Sequence, residues 1–177
     1  MRKILSILLV FILSISFSGC TLVDVNMDEN VDSTENAQSF YNKVNAQSFY
    51  NKVNESKELL DIVATDVCAA WKDAAYDYNL STKDVNEAIE KAKNSHNDKI
   101  TKINELDKEI RDLFDKAKDE MRNSSAEFAL KQVMTAYSEY KDSILKANEA
   151  LDGSGYIGVS FAKSSLDRAL QNLFIEL

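Results

Sequence analysis

The stretch from Ser124 to Leu151, SSAEFALKQVMTAYSEYKDSILKANEAL, decides the fold. Ala126, Leu130, Val133, Tyr137, Tyr140, Ile144, Ala147 and Leu151 recur every three or four residues. On a helix of 3.6 residues per turn this spacing lines them along one face. Ser124 and Glu127 stand at capping-box spacing ahead of the run. Asp152-Gly153 predicts its end, because glycine takes the left-handed conformation that closes a helix. An isolated helix of this length is marginal in water, so the stripe must be buried against other helices.

Partners of the same period lie on both sides. Upstream, Phe49, Val53, Leu60, Val63, Val67, Ala70, Ala74 and Tyr78 predict a first helix from about Ala46 to Tyr78, with Trp71 at the stripe's edge and Cys68 as a small buried residue. Leu80-Ser81-Thr82-Lys83-Asp84-Val85 then supplies an N-cap, an acidic third residue and a hydrophobic staple, so the chain turns there. Val85, Ile89, Ala92, Ile103, Leu106, Ile110, Leu113, Ala117 and Met121 carry a second helix at near-heptad spacing, interrupted at His96 and Lys99. Its long stripe leaves room for an exposed seam through which the domain can form a homodimer. A last helix is expected from Ser160 to Glu176. No stretch alternates strictly as a strand would. The fold class is therefore all-α, with residues 46–177 forming an antiparallel bundle of three long helices and one shorter C-terminal helix.

Between the last two helices, Gly153-Ser154-Gly155-Tyr156-Ile157-Gly158 holds three of the chain's four glycines, and the chain has no proline. This is read as a loop. Gly153, Gly155, Tyr156, Ile157 and Gly158 are the candidate partner-binding residues, with Tyr156 and Ile157 as an apolar pair to present or to tuck beneath the bundle. Trp71, Tyr76, Tyr78 and Leu80 form a second aromatic group of the kind that dominates interface energetics.

The N-terminal part reads as an address and a tether. Arg2 and Lys3 precede an apolar run from Ile4 to Phe17, shorter than the roughly 20 residues a spanning helix needs. The run ends in Phe17-Ser18-Gly19-Cys20, where a lipoprotein signal peptidase would cut. Residues 1–19 are thus a signal peptide and Cys20 the lipidation site, with acyl chains such as palmitate holding the protein to a membrane. Residues 20–45 are expected to be a disordered spacer, being polar and acidic. Within it, NAQSFYNKV at Asn36 to Val44 recurs unchanged at Asn45 to Val53. Nine helical residues rotate the chain by about 900°, so the copies point to opposite faces and cannot both pack on one core.

Charge and residue inventory narrow the function. Removal of residues 1–19 leaves 19 basic and 29 acidic residues, a net charge of −10, which disfavours nucleic acid as a partner. His96 is the only histidine, so no paired-histidine metal site and no supported Ser-His-Asp triad can be assembled. Carboxylates alternate with lysines, as in Asp115-Lys116-Ala117-Lys118-Asp119-Glu120, and read as a solvated face. No glycine motif cradles a phosphate. The expectation is a binding protein and not an enzyme, without metal or cofactor.

An Ile/Leu-rich signal ending in Ser-Gly-Cys, an acidic Asn-rich spacer and a Lys/Asn/Glu-rich helical domain without proline resemble the surface lipoproteins of Borrelia-type spirochaetes. In size, acidity and long helices the chain is similar to the factor H-binding lipoproteins of relapsing-fever spirochaetes, a likeness of style over the whole chain. The resemblance implies a lipid anchor in the cell outer membrane, exposure at the cell surface, and capture of the host complement regulator factor H for complement evasion. The alternative of the same helical type is a variable surface antigen or an adhesin for an extracellular matrix protein. A periplasmic lipoprotein without a host partner is the third class.

Overall fold

The computed structural model describes residues 33–75, 82–147 and 153–177, with side chains described over 44–74, 84–119, 121–147 and 158–177. Five helices account for them: α1 Ser33–Ala75, α2 Thr82–Asn94, α3 Asn97–Glu120, α4 Ser125–Leu145 and α5 Gly153–Glu176. The all-α, antiparallel architecture is as expected. The signal segment, Cys20 and the cap at Ser81 lie outside the described residues.

Side-chain pairs fix the directions. Lys52 of α1 meets Glu109 of α3 at 3.0 Å, and Asp66 meets His96 at 2.6 Å, so α2 and α3 run back along α1 as one broken rod. Ser56 pairs with Tyr137 and Asp61 with Tyr140, so α4 runs parallel to α1. Lys57 pairs with Asp167 and the Tyr50 ring meets the Phe174 ring tilted by 38° at 5.9 Å, which returns α5 antiparallel. The result is an up-down-up-down bundle.

The core follows the helical period. On α1, Ala46, Phe49, Val53, Leu60, Val63 and Val67 are buried, opposite Ile103, Leu106, Ile110 and Ala117 of α3, and the Phe49 ring meets that of Phe114 tilted by 46° at 5.9 Å. Leu130, Val133, Tyr137, Tyr140 and Ile144 of α4 face Ala162, Leu166, Leu170 and Leu173 of α5. Each fully buried Leu or Ile contributes roughly 2 kcal/mol of transfer free energy. Among the described residues no helix is long and apolar enough to cross a membrane.

Four boundaries differ from the expectation, each for a physical reason. First, α1 begins at Ser33, inside the stretch read as a spacer, because the tandem repeat continues the helix instead of ending it. At 1.5 Å per residue α1 is about 65 Å long. The nine-residue rotation appears directly: Val44 is 46% exposed while its copy Val53 is 0% exposed. Second, the expected helix from Val85 to Met121 is two helices. Ser95 and His96 form a turn, with His96 N–H donating to Lys93 O three residues back and Ile100 N–H donating to His96 O. No apolar residue stands between Asn94 and Lys99, and the Ser95 hydroxyl donates to Ala92 O, so the rod breaks there.

Third, α4 ends at Leu145 and not near Leu151. The Lys93 ammonium donates to Ala147 O and satisfies an orphan carbonyl beyond the last turn. Fourth, the glycine segment is not a loop, since Gly153 opens α5 and residues 153–158 are helical. The last helix therefore has 24 residues against 21 in α4 and is not the short one. Glycine's helical cost of about 1 kcal/mol per residue is small beside the burial that α5 gains.

The α3–α4 turn is as its sequence predicts. Ser124 is extended (φ −104°, ψ 164°) and its hydroxyl accepts the Glu127 N–H at 3.2 Å. The Glu127 carboxylate reaches back to the Asn123 N–H at 2.6 Å, and Asn123 takes the left-handed conformation (φ 68°) that Asn tolerates better than most residues.

Candidate functional site between the first and last helices

The open groove between α1 and α5 has the best-defined chemistry among the described residues. Asp61, Ala64, Thr65, Cys68, Ala69 and Lys72 come from α1, Val159, Ser160 and Lys163 from α5, and Tyr140 from α4 beneath, around a volume of about 410 Å³. The α1 residues fall on one stripe because 61, 65, 68 and 72 are spaced by four, three and four. Ala64 and Val159 are buried and floor the groove, while Thr65 and Ala69 stand exposed on its rim beside the 45%-exposed Ile62.

Asp61 is the hub. Its Oδ1 accepts from the Tyr140 hydroxyl at 2.6 Å, and its Oδ2 binds the ammonium groups of Lys57, at 3.0 Å, and Lys163. Lys57 also pairs with Asp167 at 3.0 Å. Partial burial pushes the Asp61 carboxyl up, but Lys163, Tyr140 and Lys57 outweigh it and hold the group below the usual carboxylate range. Tyr140 is driven strongly the other way, by burial and by the carboxylate it donates to, so its proton stays in place. One carboxylate thereby pins the register of three helices and fixes the charges around the groove.

Cys68, expected as a small buried residue, is half-buried and lines this groove. Burial raises its thiol above its ordinary value, so it rests protonated, a weak nucleophile. His96 is a packing residue as read from the sequence, but it is also the first residue before α3 and makes no side-chain cap bond there. Its Nε2 is held at 2.6 Å from Asp66, and its buried Nδ1 has no partner among the described residues.

Gly153 and Gly155 lie on the first turns of α5, and Gly158 is exposed with no atom within 4 Å of where a β-carbon would stand. The side chains of Tyr156 and Ile157 lie outside the described set, as do Tyr76, Tyr78 and Leu80. Trp71 is half-buried against the core. The glycine segment leads directly into Val159 and Ser160 on the α5 wall, and none of its five candidate residues is among the described residues that line the groove. Lys57 and Asp61 were visible as an i,i+4 pair; their partners on α4 and α5 carry no mark in the sequence. Among the described residues no cluster of three or more His, Cys, Asp or Glu side chains is placed to hold a metal ion.

In comparison with known proteins, no family model, no curated protein and no solved structure matches this chain.

Proposed function

We propose that this protein is a lipid-anchored surface protein that captures a host protein, complement regulator factor H, with the α1/α5 groove as the contact site. The observation that supports this reading is the groove itself. It combines an apolar floor at Ala64 and Val159 with a rim of charges held in place by the Asp61 hub, and it opens to solvent. Pockets with few, well-placed polar groups over an apolar floor are what recognition requires. The groove lies 28 residues along α1 from Ser33 at its near edge, about 42 Å at 1.5 Å per residue.

Electrostatics supports the same reading. The mature chain carries a net charge of −10, and surfaces of factor H that read host polyanions are basic, so encounter is accelerated at low salt.

The test is retention of the chain from Cys20 onward, solubilised in detergent, on immobilised factor H, beside a Thr65→Trp, Ala69→Trp variant. Both substitutions sit on exposed positions and fill the groove without entering the core. Retention by the parent with at least tenfold weaker binding by the helical variant supports the proposal. No retention by the parent sinks the factor H assignment; equal retention moves the site away from the groove. A parallel matrix-protein panel separates factor H capture from adhesion.

A further inference from the structure

A second groove, on the opposite flank of α5, has the features of a contact with a second copy of this chain. It lies between α4 and α5, holds about 400 Å³ and is lined by Phe128, Lys131, Glu139, Arg168 and Asn172 over Ala136 and Ala169. Both alanines are 7% exposed, so the floor is smooth and admits a close neighbour. Phe128 at one end is 66% exposed. Phe161 continues the α5 stripe through Ser165, Arg168 and Asn172 at spacings of four, three and four, and is 72% exposed. Large aromatics standing in water along one face mark an interaction surface.

The charges on this face indicate what covers it. Glu139 and Arg168 line the same groove, yet neither has an ion-pair partner among the described residues, although most other charged side chains around the bundle are paired. Ser125 meets Glu176 at 2.6 Å, and Asp61 binds both Tyr140 and Lys163, which sets the relative heights of the antiparallel α4 and α5. On that scale Glu139 and Arg168 differ by about five residues, roughly 7 to 8 Å along the axis, a gap that two long side chains can span.

We propose that the α4/α5 face pairs with the same face of a second copy about a two-fold axis parallel to the helices. Under that operation α4 lies over the partner's α5. Glu139 meets the partner's Arg168, Arg168 meets the partner's Glu139, and Phe128 falls toward the partner's Ile175, itself 74% exposed. An isologous contact repeats each pair twice, so an unpaired acid and base on one face become two ion pairs. Two helices of 21 and 24 residues present a face about 30 Å by 18 Å, or roughly 1,000 Å² buried in total, at the threshold for a specific but weak dimer. This axis keeps both copies of α1 pointing the same way. It also leaves the α1/α5 groove open in each copy.

The test is sedimentation of the chain carrying Cys20→Ala, with Glu139→Arg, Arg168→Glu and the double exchange, at concentrations from about 1 to 300 μM, spanning dissociation constants of a weak dimer. Dimerisation of the parent, weakening by tenfold or more in each single variant and recovery in the double variant establish the contact. Both positions are exposed, and unchanged helicity by circular dichroism separates lost pairing from lost folding. A parent monomeric over the whole range overturns the proposal. Single exchanges without effect, or a double exchange that fails to recover, overturn the pairing and its axis.

Discussion

Asp61 and Asp107 show how single side chains set the acid limit of this fold. Asp107 receives Lys141 of α4 at 2.8 Å and Arg111 one turn along α3, and although burial opposes ionisation, these partners hold its carboxyl below the ordinary range, as at Asp61. A carboxyl depressed in the folded state binds fewer protons than the unfolded chain does. Its stabilisation is complete above the unfolded value near pH 4 and is lost as pH falls through the lower folded value. The urea midpoint is expected to hold from pH 7 to about pH 5 and fall below about pH 4, and Asp107→Asn should flatten that fall while lowering the neutral-pH midpoint. Gly158 offers the opposite kind of change. Its backbone is helical and an added methyl meets no atom, so Gly158→Ala should stabilise by about 0.5 to 1 kcal/mol, read as a raised thermal midpoint. Tyr137 is a third case: burial pushes its hydroxyl up to about 12, and its bond to Ser56 at 3.0 Å lies inside the core.

At the scale of the element, the tandem repeat is a controlled experiment already present in the chain. Val44 and Val53 share their sequence neighbours within the repeat and differ in the face they occupy. Val53→Ala should cost about 2 kcal/mol through lost burial and an unfilled cavity, whereas Val44→Ala should change stability by less than about 0.5 kcal/mol. Chemical denaturation of the two variants side by side checks this. The α3–α4 turn carries its own prediction. Ser124→Ala removes the acceptor for the Glu127 N–H and should cost about 1 kcal/mol, while Ser124→Asp should retain most of it. These elements were legible because capping and nine-residue rotation are local properties. The break at Ser95-His96 was only half legible, since an interruption in the apolar stripe does not say whether a helix bends through it or stops.

At the scale of the whole molecule, the acidic excess makes the proposed capture of a basic partner sensitive to salt. With an acidic excess spread over the surface, the association rate with a basic partner should fall by tenfold or more between about 20 and 300 mM salt, with a much smaller change in dissociation rate. Surface plasmon resonance at several ionic strengths resolves the two. A dissociation rate that carries the salt effect instead would place the charged pairs inside the contact.

The amino-acid order by itself determined that the fold is all-α, which residues face inward on α1 to α4, where the α3–α4 turn is capped and that the repeat's copies cannot share a core. All of these follow from the 3.6-residue period and from bonds spanning three or four residues. Only the tertiary structure decided that Lys57, Asp61, Tyr140 and Lys163 meet, because their contact spans up to about 100 residues and depends on helix register. It also decided that the glycines begin α5 instead of forming a loop, since glycine's helical cost of about 1 kcal/mol per residue is small beside the burial of Val159, Ala162, Leu166, Leu170 and Leu173 further along the helix. The α1/α5 groove belongs to the same class. Its walls are ordinary exposed helical residues, and it exists only because two helices distant in sequence are held side by side.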